Sequence, residues 1–289
     1  MKYLNALLLF CLIFIAACSG KKPLSIIEAT NQEAIYNVLF QDNFRLVSFD
    51  FFDTVVPDTQ TYLNNPDPDK PCLWHEVQYF DDDLIITILD QPVQSPVGLV
   101  YESHITYTVT DTGRFRMLRY NAAADSFERY STKFNIRVAR SATCQQWGRS
   151  NQLRRGWLLT SISDARVTTP GQNYHFLNDF GYSSLTHNDT TCVYDTYDPV
   201  VLVSFLQNEQ VTVHYQIQDS LDKVFIYIPK NDYGYQLADP QQDSLGNWQT
   251  IITMPSRKIY GQLFFLVVNV GRFDQVYKAS GYSYNYRIR

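Results

Sequence analysis

The chain has 289 residues, 24 of them Lys or Arg against 29 Asp or Glu, and 45% are hydrophobic. That length holds one large or two medium domains, and 18% charged residues among well-spread apolar ones mark a chain that folds. A net charge of −5 supplies no basic face for a nucleic acid. The one long apolar run falls short of the ~20 residues a membrane-crossing helix needs.

That run comes first. Lys2 carries a positive charge, and Ala6 to Ala17 follows without any charge. The pattern is that of a signal peptide, positive start and short apolar stretch. Its end, Ile15-Ala16-Ala17-Cys18, resembles the bacterial lipobox: an aliphatic residue and two small ones before cysteine. The resemblance implies cleavage before Cys18, diacylglyceryl transfer to its thiol and acylation of the new amine. Anchoring by two or more chains is stable, each buried methylene contributing about 0.8 kcal/mol. Ser19 follows the cysteine in place of an aspartate. By resemblance to enterobacterial sorting, that implies the outer membrane, and Lys21-Lys22 gives no acidic surface-export tag, so the expected side is the periplasm. Residues 1–17 are thus expected as signal peptide and 18–24 as a lipidated tether.

Of the five cysteines, Cys11 leaves with the signal peptide, and Cys72, Cys144 and Cys192 remain besides the lipobox cysteine. No C-x-x-C spacing occurs, so neither a zinc knuckle nor a thioredoxin-type site is expected. No obligatory disulfide is expected either; the intradomain choice, if one forms, is Cys72–Cys144.

Ser25 opens a stretch in which Ile26, Ile27, Ala34, Ile35, Val38 and Leu39 recur near a 3.6-residue period, which predicts a helix over 25–40. Residues 44–56 read as a strand. The next stretch, 58–71, holds three prolines among Asn and Asp and reads as a loop. From Cys72 the pattern is β: strands over 73–80 and 84–89 with Asp81-Asp82-Asp83 as a turn, then 97–110. Asp111-Thr112-Gly113 reads as a hairpin turn, followed by strands over 114–120, 127–139 and 156–162. Short turns between consecutive strands imply an antiparallel meander, and one helix against it makes an α+β domain over 25–165. In element order residues 25–163 resemble NTF2-like cones, a leading helix and a curved antiparallel sheet closed by Arg155-Gly156-Trp157-Leu158-Leu159, with a lipocalin-like or other antiparallel barrel as the rival. NTF2-like folds carry about three helices, and only one is legible here.

Residues 166–196 are polar and read as a connection. From 197 to 289, candidate strands over 200–205, 211–218, 223–229, 248–254, 262–270 and 282–288 recur at regular spacing. That architecture resembles an immunoglobulin-like β-sandwich, without the Cys-Trp-Cys core of true immunoglobulin domains. The expected fold is therefore mainly β: an α+β domain followed by an immunoglobulin-like β-sandwich.

Chemistry is sparse. Val47-Ser48-Phe49-Asp50-Phe51-Phe52-Asp53-Thr54 resembles the first motif of haloacid dehalogenase-like phosphohydrolases, with Asp50 as nucleophile and Thr54 on the phosphate. The family's acid-base aspartate would fall two residues on, where Phe52 stands, and Asp53 faces the other way along a strand. Asp67, Asp69 and Asp81-Asp82-Asp83 offer oxygen donors without calcium-loop spacing. His75, His104, His175, His187 and His214 form no zinc pair. Gly181-Tyr182-Ser183-Ser184 and Gly281-Tyr282-Ser283-Tyr284 begin like a nucleophile elbow but lack its second glycine. No phosphate loop or dinucleotide fingerprint occurs.

Aromatic residues are the remaining candidates. Trp74, Trp147, Trp157 and Trp248 could stack on a sugar or a partner protein, and Trp147, beside Gly148 in a polar loop, is the one expected to be exposed. The sequence therefore points to a lipid-anchored envelope protein that binds or scaffolds, with Cys18 as lipidation site and Trp147 as binding residue. No catalytic residues, metal, cofactor or nucleic acid are expected. The membrane is reached through the lipid on Cys18, and an envelope protein or glycan is the expected partner. A carbohydrate- or small-ligand-binding lipoprotein and a hydrolase with a site assembled from distant strands are the alternatives.

Overall fold

The computed structural model describes residues 28–49, 58–68, 71–171, 177–187, 190–191, 196–197, 202–217, 222–230, 235–238, 241–242, 247–269 and 277–289. The signal peptide, Cys18, Ser25, Asp50, Thr54, Asp69, His175 and Cys192 lie outside them.

Helix α1, Asn31–Asn37, starts one residue after Thr30, whose hydroxyl accepts from the Glu33 N–H at 3.1 Å. Glu33 answers by accepting from the Ala29 N–H, one residue before the cap, at 2.8 Å. A π-helical turn, Val38–Asp42, prolongs it. Ala34, Ile35, Val38 and Leu39 form its buried stripe, as the periodicity predicts. The strand expected from Phe44 instead begins as helix α2, Phe44–Val47, with Leu46 and Val47 buried. Part of the expected loop is helix α3, Thr59–Asn64, because Asp58 caps the Thr61 N–H at 2.9 Å and the prolines all come later.

The rest is β. Strands β1 (Cys72–Ile88), β3 (Gly98–Asn121) and β4 (Ser126–Gln146) form a long antiparallel ribbon, with β2 (Val93–Ser95) at one end. Two expected turns are absent from it. Asp81, Asp82 and Asp83 pair with Thr110, Val109 and Thr108 inside β1, and Asp111-Thr112-Gly113 continues β3. Pairing on both sides of β3 satisfies backbone groups that a turn would have left to water. Gly113 serves close approach: a Cβ there would sit 2.1 Å from the Glu76 carbonyl, where β1 bulges between Val77 and Tyr79.

Further strands are β5 (Trp157–Ser163), β6 (Arg166–Thr168), β7 (Leu177–Ser184), β8 (Thr190–Thr191), β9 (Thr196–Tyr197) and β10 (Val203–Phe205). They are followed by β11 (Gln210–Ile217), β12 (Asp222–Pro229), β13 (Tyr235–Leu237), β14 (Gln241–Gln242), β15 (Trp248–Thr253), β16 (Tyr260–Asn269) and β17 (Lys278–Ile288). One sheet runs β1-β3-β4-β6-β17-β16-β12-β13, and a second runs β14-β15-β11-β7-β8. The stretch expected as a connection supplies β6, which pairs with both β4 and β17, and β7, which pairs with β11.

The long sheet curls, so its two ends share a core with α1 and α2. Ile105, Val109 and Phe134 of the ribbon pack in one cluster with Phe264, Leu266 and Val268 of β16. His75 of β1 lies against Phe225 of β12 at 5.7 Å. Leu263 and Phe265 point the other way, into a second core with Val211, Val213 and Ile252 of the second sheet. β16 is thus buried on both faces, which explains why residues 263–268 read as an unbroken apolar run.

Where the ribbon meets β16 and β17, Arg140 of β4 is 3% exposed. Its guanidinium donates to Gln262 at 2.8 Å and Ser283 at 2.9 Å, and lies 5.1 Å from the Phe49 ring centroid. Asn285 ties in the next turn of chain, its amide N–H donating to Asp164 at 3.1 Å and its side chain to the Ser163 carbonyl. The joint is a hydrogen-bonded polar cluster inside the apolar core.

Cys72 and Cys144 are free thiols, and the register forbids the Cys72–Cys144 bridge. Cys72 aligns through Leu118 with Arg129, and Cys144 lies farther along the same strand β4, roughly 50 Å away.

Candidate functional site

The loop between β4 and β5 carries the most strained backbone among the described residues. Arg154 (φ 55°) and Arg155 (φ 49°) are both left-handed, and Gly156 follows at φ 75°. Only the glycine adopts that region without cost; for the arginines it costs about 1–2 kcal/mol each. The loop is closed at its base, where the Trp147 and Gly148 N–H groups both donate to the Gly156 carbonyl at 3.0 and 3.1 Å. Gly148 and Gly156 face each other so closely that a Cβ on Gly156 would lie 2.3 Å from the Gly148 carbonyl carbon.

The strained conformation sends both guanidiniums back across the N-terminal helix. Arg154 donates to Glu28 at 2.6 Å, to both oxygens of Asp42 at 2.8 Å, and to Gln41 at 3.0 Å. Arg155 donates to the Asn31 side chain at 2.8 Å. Burial alone would raise the Glu28 carboxyl; the hydrogen bonds from Arg154 and Asn37 outweigh it and hold Glu28 below the usual carboxylate range. The Arg154 guanidinium is pushed further up, first by Asp42 and then by Glu28.

Between this latch and the sheet lies a cleft of about 660 Å³. Val38 and Asp42 form its helix side, Trp147 and Arg154 its loop side, and Leu158 and Tyr260 its strand side. Its mouth is apolar and open to water: Trp147 is 45%, Leu153 60%, Leu158 49% and Tyr260 41% exposed. Trp147 is held in place, its indole N–H donating to Gln145 at 2.9 Å, while Gln145 donates to Glu102 at 2.7 Å and Glu102 contacts His104 at 2.8 Å. The cleft thus combines a fixed aromatic ring, apolar walls and a few directed polar groups, the make-up small-molecule sites share.

A smaller cleft of about 230 Å³ lies at the far end of the ribbon. There Trp74, Arg116, Leu118 and Arg129 share one face of the sheet, beneath Thr59 and Leu63 of α3.

The other sequence candidates do not converge. Trp157 is fully buried, and Trp74 and Trp248 are half-buried. Asp81, Asp82 and Asp83 alternate between the faces of β1 and cannot meet one ion. Among the described residues no group of three His, Cys, Asp or Glu is placed to hold a metal. His75 is buried against Phe115 and Phe134, its Nε2 2.8 Å from the Tyr277 hydroxyl, and burial lowers its pKa to about 3.

Ser184, His187 and Glu209 do come together, in an order unsuited to nucleophilic catalysis. The Ser184 hydroxyl donates to Glu209 at 2.6 Å and lies 3.3 Å from His187 Nδ1, which sits closer, at 2.8 Å, to the Thr186 hydroxyl, so the carboxylate takes the serine and does not orient the histidine as in a triad. Glu209 also accepts from the Thr186 and Leu206 N–H groups, at 3.0 and 2.6 Å. Burial would raise it, but these hydrogen bonds win and bring it down to about 2. The trio fastens the 184–187 turn to the start of β11.

What sequence reasoning missed is the arginine latch. Its partners lie 112 to 126 residues apart, and no local pattern marks such pairs. No protein family, curated protein or solved structure matches this chain.

Proposed function

We propose that this chain is a lipid-anchored protein of the bacterial cell envelope that works by binding through the Trp147 cleft. The observation that carries the reading is the cleft's construction. Two left-handed arginines are kept in a costly conformation by Asn31, Gln41 and Asp42 of the N-terminal helix and by Glu28 just before it, and the result is a fixed aromatic mouth opening on water. Strain of this kind persists where the surroundings over-determine it, and it gathers at ligand clamps. The Ile15-Ala16-Ala17-Cys18 lipobox supplies the address, with acylation at Cys18 and the periplasmic face of the outer membrane as destination.

The C-terminal part is proposed as an immunoglobulin-like sandwich. Two sheets facing each other across the second core support this, as does β10 lying parallel to the last strand, β17. The Ser184 geometry weighs against the hydrolase alternative.

The test is a photo-crosslinking residue placed at Leu158, an exposed position of the cleft wall, in the protein expressed in intact cells. The reading expects a discrete adduct that disappears when Trp147→Ala is added. Adducts of unchanged pattern in the Trp147→Ala background would refute binding through this mouth.

A further inference from the structure

We infer that the mouth of the Trp147 cleft seats on the surface of an anionic lipid bilayer, the membrane that carries the Cys18 acyl chains; the inference rests on the lipid-anchored binding reading and names the occupant of its site. Three independent observations meet at this end of the molecule.

The first is where the chain arrives. The described structure begins at Glu28, and Glu28 is bound to Arg154 in the cleft wall at 2.6 Å. The ten residues from Cys18 to Glu28 span at most about 35 Å. The ribbon is far longer, the 24 residues of β3 reaching about 80 Å. A bilayer holding Cys18 therefore meets the Trp147 end of the protein, and the α3 end points away.

The second is apolar exposure. Trp147, Leu153, Leu158 and Tyr260 surround the mouth, and Leu99 and Tyr101 are exposed at the same end, Tyr101 pairing with Gln146 just before Trp147. Aromatic rings with one apolar and one polar side suit the headgroup boundary, where Trp and Tyr concentrate.

The third is charge. The chain as a whole is acidic, yet Arg149 stands in the loop and Lys258 two residues before Tyr260, and the sequence of the tether adds Lys21 and Lys22. The nearest carboxylates, Glu28, Asp42 and Glu102, are each already hydrogen-bonded. Each cation close to an anionic surface adds about 1 kcal/mol of attraction, screened within a Debye length.

The test uses the mature lipidated protein reconstituted into vesicles of phosphatidylglycerol and phosphatidylethanolamine, one lipid brominated in its acyl chains. The readout is the quenching present in the wild type and missing in Trp147→Phe. The inference expects that component to be at least about twofold larger than in phosphatidylcholine vesicles and to fall at about 0.5 M salt. It also expects Arg149→Glu with Lys258→Glu to abolish the anionic preference while circular dichroism stays unchanged. Lengthening the tether by a flexible insert after Lys22 should leave the quenching in place, since the patch itself has affinity. Quenching equal in Trp147→Phe, or lost with the longer tether, would overturn the inference. Mass analysis of the N-terminal peptide separates the two failures: an unacylated Cys18 sinks the anchoring reading, whereas an acylated protein with an unquenched Trp147 sinks only the seating.

Discussion

Replacing Arg154 with alanine removes the latch between the cleft loop and the N-terminal helix, and its cost follows from what is left behind. Asp42, with 44% of its side chain exposed, is rehydrated and contributes little. Glu28 has only 3% of its side chain exposed and loses its guanidinium partner, keeping only the longer bond from Asn37 at 3.4 Å. Stranding a charged group that is buried costs about 3 kcal/mol, at the lower end of the range for broken buried pairs because Arg154 itself is partly solvated. Alanine at φ 55° also keeps the left-handed strain that the arginine carried. Glycine does not, so Arg154→Gly should be more stable than Arg154→Ala by about 0.5–1 kcal/mol, even after its greater freedom in the unfolded chain. Lysine restores the charge but not the fork that holds Asp42 at both oxygens, and should recover about half the loss. Urea unfolding of the four proteins measures the series, and hydrogen exchange of the α1 amides should report the same order locally. A loss below about 1 kcal/mol for alanine, or a glycine variant less stable than the alanine one, would refute the account of strain held by the latch.

Four further outcomes are expected. His75 is neutral in the folded protein with a pKa of about 3 against 6.5 when exposed, so the unfolded chain binds the extra proton. Stability is therefore complete above pH 6.5 and falls toward pH 3, by about 2 kcal/mol at pH 5, and urea titrations of His75→Leu should show a flatter slope across that window despite a lower plateau. Gly156→Ala should destabilise by about 3 kcal/mol, since its Cβ meets the Gly148 backbone, while Gly171→Ala, at the same φ of 75° with open space around it, should cost about 1 kcal/mol. Burial raises the Cys144 thiol to about 12, so a disulfide reagent should modify Cys144 only on unfolding and half-buried Cys72 sooner, as mass mapping of labelled peptides would show. Trp147→Ala, which opens no core cavity, should change unfolding free energy by less than about 1 kcal/mol, so that any binding defect in it is a defect of the mouth.

The β-rich character was legible because most strands alternate or, like β16, carry an unbroken apolar run. Strand lengths were not. Asp81-Asp82-Asp83 and Asp111-Thr112-Gly113 have the composition of turns, and only their mutual pairing, Asp81 with Thr110 and Phe80 with Asp111, keeps them extended. Local propensity lost there to strand pairing, on one side of β1 and on both sides of β3. The helices after Asn43 were missed for the opposite reason: four- and six-residue helices are too short to show a period. Of the site, Trp147 could be singled out because Gly148 and polar neighbours flank it. Arg154 could not, since its backbone strain and its pairing with Glu28 exist only once the ribbon and the helix are assembled.

In the proposed arrangement an acylated Cys18 lies at the membrane with the Trp147 cleft beside it. The most direct measurement is mass spectrometry of the N-terminal peptide of the protein extracted from cell membranes. A peptide beginning at Cys18 and carrying a diacylglyceryl group is predicted. A protein that retains residues 1–17, or that begins at another residue with an unmodified Cys18, would contradict it.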